Sequence, residues 1–284
     1  MGDSQFRNQA TVIGTLQNVN MKPEVGQNGL GELSLKADGN DIKINLWGKQ
    51  DGSTEKFIMG LDEGERYEAK GEVGINITDD GGKFLSVQPY TTNGITPSNE
   101  EEDAVAIVAG DIFDWDLEYD ANGDPQGEVK IMVYNTYNRD GGNFSKDEVL
   151  KMELENQIEY LKKEYPDKPT KGFEDTLKEL KADGSTMNCI EKYKEVIENT
   201  KARLFKIDLL TIDVEGQTAE RMANEGVAIG DNITLGTVII DQMVTDRYGM
   251  AKGNERGLKA EMFYGINESA GADSVVKHEE EDTW

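Results

Sequence analysis

Short stretches of the first hundred residues alternate apolar and polar side chains with the period of two that a half-buried strand requires. Ala10–Leu16 reads as a strand and is followed by a loop rich in Gly and Asn from Asn18 to Gly31. Glu32–Ala37 alternates, Gly39-Asn40 makes a turn, and Asp41–Trp47 alternates again with Ile42, Ile44 and Leu46 on one face, which predicts a hairpin. A polar connector from Gly48 to Glu65 leads to strands at Tyr67–Val73 and Lys83–Gln88, separated by a turn at Asp79–Gly82.

Thr96–Asp103 is polar, charged and aperiodic, which marks a linker. Beyond it the pattern returns. Val105–Tyr119 and Glu128–Tyr137 form a hairpin around Asp120–Gly127, and Arg203–Val214, Ile229–Ile240 and Leu258–Ile266 supply three more strands. Between these two groups, from about 145 to 200, the period changes to that of a helix. Ser145-Lys-Asp-Glu148 is a capping box, Val149, Met152, Leu154, Ile158 and Leu161 follow at helical spacing, and Pro166 and Pro169 interrupt the run. Further helices are expected near Phe173–Lys181 and Met187–Lys201, the apolar stripe being a core face.

Five short strands with a longer connection after the third is the layout of an OB-type barrel. The expected fold is therefore mainly β with a helical insertion: two OB-type five-stranded β-barrels over residues 1–97 and 98–265, the insertion at about 145–200, and a flexible acidic C-terminal tail over 266–284.

Charge complicates any anionic partner. The 284 residues hold 30 basic and 56 acidic side chains, a net −26. The acid is concentrated, however: residues 98–200 carry 26 acids against 12 bases and the tail six against one, whereas 1–97 (14 against 9) and 201–265 (10 against 8) are nearer balance. Charges farther apart than about 10 Å are largely screened at ordinary ionic strength, so a local cationic groove works on an anionic protein.

The remaining composition narrows the chemistry. One cysteine, Cys189, and one histidine, His278, leave no internal disulfide, zinc set or Ser-His-Asp centre, and no cofactor or metal is expected. Cys189 reads as a small buried hydrophobe. Asp120-Ala-Asn-Gly-Asp124 imitates the start of a calcium loop, but Pro125 and Ile131 stand where that loop needs Gly and Glu, so a hairpin turn is expected. Gly26–Gly31 fits no nucleotide-binding spacing. Phe6 stands where a myristoylation signal needs Ser or Thr, and no apolar run approaches the roughly 20 residues of a membrane span, so the chain is expected to stay where it is made, in the cytoplasm, or the host cytoplasm if viral. Asp111, Asp114 and Asp116 could serve a metal-dependent nuclease, but abundance of carboxylates alone supports it, and the expectation is a protein that is not an enzyme.

Unpaired bases need π surfaces to stack on and cations to follow their backbone. Opposite Ile42, Ile44 and Leu46, the strand to Trp47 places Lys43, Asn45 and Trp47 on its other face. The run Arg247–Lys259 holds Arg247, Lys252, Arg256 and Lys259 against one acid, with Tyr248 and three glycines, in the position of the loop between strands four and five of a second barrel. The matching first-barrel loop, Ile77–Lys83, is acidic and short. The other first-barrel candidates are Lys36, Arg66, Lys70, Phe84 and Tyr90.

Thr11–Leu16, Lys43–Gly48, Tyr67–Gly71 and Ile229–Gly236 resemble strand phrases of OB-fold proteins of DNA replication. With the terminal Glu279-Glu280-Glu281-Asp282-Thr283-Trp284, the chain resembles phage-type single-stranded DNA-binding proteins with acidic C-termini. The resemblance implies sequence-independent binding that protects and organises single-stranded DNA in replication, recombination or repair. It also implies that Glu279, Glu280, Glu281, Asp282 and Trp284 dock on replication or recombination proteins, or compete with DNA for the protein's own groove. The competing expectation is an acidic scaffold or DNA mimic that engages a basic host protein through the middle segment.

Overall fold

The computed structural model describes residues 6–25, 28–77, 83–136, 144–164, 166–167, 169–183, 206–245 and 251–267. Strand β1 (Arg7–Lys22) runs well past Ala10–Leu16 at both ends because it serves several partners along its length. Its first half pairs with β4 (Arg66–Ile77) on one edge; its second half, from Thr15, pairs with β2 (Leu30–Ala37), with a register shift between Leu16 and Asn18. β2 and β3 (Asn40–Trp47) form the expected hairpin, with the turn one residue earlier than Gly39-Asn40. Asp38 and Gly39 both have positive φ, 49° and 82°, the two-residue turn whose twist suits flanking strands. β3 then pairs in parallel with β5 (Lys83–Gln88), and β5 with β4, so the five strands close on themselves in the order β1–β2–β3–β5–β4–β1. The short β6 (Ile95–Pro97) adds to β4.

The connector Gly48–Glu65 contains a helix that its polar composition hides. α1 (Ser53–Ile58) buries Thr54 and Ile58, and the Ile58 side chain fills the space that a missing Cβ at Gly31 leaves open.

The second group of strands repeats the scheme. β7 (Asp103–Tyr119), β8 (Pro125–Tyr134), β9 (Ile207–Glu215), β10 (Asn232–Thr245) and β11 (Ala251–Ile266) close in the order β7–β8–β9–β11–β10–β7, with β9 and β11 parallel. Between β8 and β9 lie α2 (Lys146–Glu164) and α3 (Lys171–Asp183), where the helical period predicts them. The capping box is formed: the Ser145 N–H donates to Glu148 Oε2 at 2.8 Å and the Glu148 N–H to Ser145 Oγ at 3.3 Å. The helical stripe is a core face, since Val149, Leu150, Leu154, Leu161 and Phe173 pack with Phe113, Met132, Tyr134 and Ile207. An unexpected helix, α4 (Gly216–Asn224), joins β9 to β10, the same place in the order that α1 holds between β3 and β4. The Asp120–Asp124 loop is the expected hairpin turn, with Asp120 Oδ1 accepting from the N–H groups of Asn122 (2.8 Å) and Asp124 (2.9 Å).

The two rings share a seam. The first halves of β1 and β7 pair antiparallel from Arg7↔Ala109 to Ile13↔Asp103, centred on Ala10↔Ala106. Gly14 and Gly110 each lie four residues past that centre. A Cβ on Gly14 would stand 2.6 Å from the Lys36 carbonyl oxygen of β2, and one on Gly110 would crowd the Met132 carbonyl oxygen of β8 closer still. Glycine is required there because the second strand of each ring passes directly over the first. One continuous apolar core, from Val12 and Ile44 to Ile212 and Phe263, runs through both rings.

The expected helix near Met187–Lys201, the turn at Asp79–Gly82, Arg247, Tyr248 and the tail residues from Gly271 to Trp284 lie outside the described residues. Among the described residues no helix is long and apolar enough to cross a membrane.

Candidate nucleic-acid interface

In OB-type barrels the ligand groove runs over strands two and three and is flanked by the loops after strands one and four. In the first ring that face belongs to β2 and β3, and the register across β1, β2 and β3 fixes its neighbours in rows. Lys22, Leu30 and Trp47 form one row, Asn20, Glu32 and Asn45 the next, then Asn18, Ser34 and Lys43, and finally Thr15, Lys36 and Asp41. Lys22 meets Glu32 at 2.8 Å. Trp47 is 47% exposed, a large apolar surface left open to solvent at the end of β3.

Local structure fixes the Trp47 backbone. The Gly48 N–H donates to the Gly29 carbonyl at 2.9 Å, tying the end of β3 to the loop that joins β1 and β2. Any side chain at Gly48 would overlap the Asn28 carbonyl oxygen, so this approach requires glycine. Gly29 itself has φ +81°, which favours glycine for a different reason. The indole thus stands where strand three meets the first loop.

Asn45 departs from the expected open face of cation, amide and indole. It shares that side of β3 but is buried, and its Nδ2 donates to the buried Ser86 hydroxyl at 3.2 Å. The same region is approached by the second ring: β10 contacts β3, and β11 contacts β5. The register of β10 with β11 runs out to Thr245↔Ala251, past Val238, the last residue of β10 that pairs with β7. Lys252 and Arg256 are in β11, Arg256 opposite Asp241.

The other candidates are dispersed. Arg66, at the start of β4, continues the Thr15–Lys36–Asp41 row on the far edge of β1, but it is engaged by the linker. Its Nη1 donates to the Glu100 carbonyl at 2.7 Å and its Nη2 stands 3.8 Å from Glu102 Oε1. That Glu102 carboxylate also accepts from the Thr15 hydroxyl (3.4 Å) and the Asp38 N–H (3.2 Å), a small anion cradle filled from within the chain. Lys70 pairs with Glu68 on β4 at 2.7 Å. Tyr90 is 73% exposed and its hydroxyl donates to Glu72 of β4, near the seam with β9 rather than beside Trp47. Phe84 lies in β5 opposite Asn76. Lys259 is held by Glu215, in a groove of about 500 Å³ on the second ring lined chiefly by carboxylates.

Sequence reasoning missed Lys22, whose row with Trp47 follows from strand register, and Glu102, which read only as linker.

No protein-family model matches the chain, and no curated protein matches its sequence. In fold it is similar to the wild-type single-stranded DNA binding protein from Thermus aquaticus, with a TM-score of 0.54 and 14% identity over 95% of this chain and 98% of that one. A deletion mutant of the same Thermus aquaticus protein gives a TM-score of 0.54 and 15% identity over the same shares of both chains.

Proposed function

We propose that the protein binds single-stranded DNA without regard to sequence, each five-stranded ring being an OB-type barrel, the first within residues 1–97 and the second within 98–265. The observation that carries this reading is the half-exposed Trp47 on the strand-three face of the first ring, in rows that also hold Lys22, Lys36 and Lys43. Stacking of one base on such a ring contributes about 1–3 kcal/mol, and lysines supply the backbone attraction. Similarity in fold to a Thermus aquaticus protein named for binding single-stranded DNA supports it. The wider role is protection and organisation of single strands in phage replication, recombination or repair, in the host cytoplasm and without catalysis. The acidic tail ending in Trp284 recruits the partner proteins.

Titration of the full chain with oligo-dT at low salt, followed by tryptophan fluorescence, tests the proposal. Quenching that weakens steeply as salt rises, with duplex DNA binding far less, is the expected result. Fluorescence of Trp47 and Trp115 indifferent to excess oligo-dT would overturn it.

A second reading is favoured by one observation. Asp116, Glu128 and Asp213 stand side by side across β7, β8 and β9, a surface suited to a basic protein, as in an acidic scaffold or DNA mimic. This reading expects no oligonucleotide binding and capture of basic partners that salt releases.

A further inference from the structure

The two rings have the same strand order, so their strand-two and strand-three faces can be compared row by row. In the first ring the rows across β1, β2 and β3 carry Lys22, Lys36, Lys43 and Trp47 against Glu32 and Asp41. In the second, the rows across β7, β8 and β9 read Asp114, Lys130, Thr211, then Asp116, Glu128, Asp213, then Glu118, Gln126, Glu215. Six carboxylates thus occupy three adjacent strands. Among the described residues, the cations beside them are Lys130, paired with Asp114 at 3.2 Å, and Lys259, paired with Glu215, much as Lys22 pairs with Glu32 in the first ring, so the difference between the faces lies in the number of carboxylates.

Neighbouring strands lie roughly 5 Å apart, so the row from Asp116 to Asp213 spans about 10 Å, no more than a screening length at 0.1 M salt. Such rows add into one anionic field, and a phosphate backbone laid along them meets repulsion at every step.

We infer that single-stranded nucleic acid follows one path per chain, over the β2–β3 face of the first ring, and that the equivalent face of the second ring takes none. This rests on the proposed single-strand binding and assigns it to one ring. The β8–β9 face of the second ring stays out of the path.

The test is the stoichiometry of a short probe. An oligo-dT of about ten nucleotides falls within the span one OB fold covers, which is roughly 4–16. Titrated into the full chain at low salt and counted by native mass spectrometry and calorimetry, it is expected to bind once per chain. Trp47→Ala is expected to weaken that event about tenfold or more, the loss of one stacked base, while Lys130→Gln on the equivalent face of the second ring leaves it within about twofold, the scale of a distant screened charge. Thermal melts of both variants separate these effects from loss of fold. Two probes per chain of comparable affinity, or Lys130→Gln weakening the event as much as Trp47→Ala, overturns the single path while leaving single-strand binding intact. Absence of any binding removes the proposed function, and this inference with it.

Discussion

Glu72 of the first ring and Asp208 of the second approach each other at the seam, bridged on one side by Asn8, whose Nδ2 donates to the Val73 carbonyl at 2.7 Å and to Asp208 Oδ2 at 3.4 Å. Burial, and secondly the charge of Asp208, raises the Glu72 carboxyl from its ordinary 4.5 to about 7. Burial raises Asp208 as well, against the opposing pull of the Asn8 hydrogen bond.

A carboxyl whose pKa is higher in the folded chain than in the unfolded one binds more protons when folded. Its share of stability is complete below about 4.5 and is lost as pH rises through about 7. Glu72→Gln is therefore expected to raise the melting temperature at pH 8 and to change it little at pH 5. With the group partly exposed, the gain at pH 8 is of order 1 kcal/mol. Parallel melts of the two proteins across pH 5–8 check this, and equal differences at both ends would show that the carboxyl does not titrate in that window.

Trp47→Ala should lower affinity for oligo-dT by about 1–3 kcal/mol, the value of one stacked base. Because the indole is exposed at a strand end, the denaturation midpoint should hardly move. Trp47→Phe should keep part of the affinity. Loss of stability equal to the loss of binding would mark Trp47 as a packing residue only.

Glu102 fills the cradle of Arg66, Thr15 and the Asp38 N–H that lies in line with Lys36. Removing its charge frees a guanidinium for phosphate, so Glu102→Gln should tighten single-strand binding by about two- to fivefold at low salt, an exposed-pair effect that salt erases. In an Arg66→Gln background the gain should vanish. A gain that survives there would mean that Glu102 acts through the general field of the protein rather than through Arg66.

Gly14→Ala and Gly110→Ala should each destabilise the chain by about 2–3 kcal/mol in chemical denaturation, because the new methyl meets a backbone carbonyl that cannot move without parting two strands. Gly39→Ala, whose Cβ meets nothing within 4 Å, isolates the cost of positive φ alone and should be milder. A ranking with Gly39→Ala worst would contradict the crossing geometry.

The strands were legible because each has one buried and one exposed face: Ile42, Ile44 and Leu46 are all buried while Asp41 and Trp47 are exposed. The capping box at Ser145 was legible because its signal is local. α1 was not, since only Thr54 and Ile58 of its six residues are buried and so short a segment shows no periodicity. α4 was overlooked too; of its buried set, Thr218, Ala219 and Met222, only Met222 is large and apolar, which is too little for a periodic signal. Strand ends also escaped, as in β1, where pairing with β7 and β2 extends the strand through polar Asn8, Asn18 and Asn20. In the candidate site, the outward phase of Lys43 and Trp47 followed from alternation, but the burial of Asn45 did not, because it depends on a distant strand. The engagement of Arg66 and Lys259 by carboxylates is likewise a matter of who lies alongside, which no linear spacing encodes, whereas the Glu68–Lys70 pair on β4 sits at the two-residue spacing of one strand face.

The antiparallel joining at Ala10 and Ala106 has a directional meaning. Nucleic acid has polarity, and two like surfaces related by a half-turn point opposite ways: whatever travels 5′ to 3′ over one must travel 3′ to 5′ over the other. To be gripped alike by both, a thread would have to double back within the width of a single molecule.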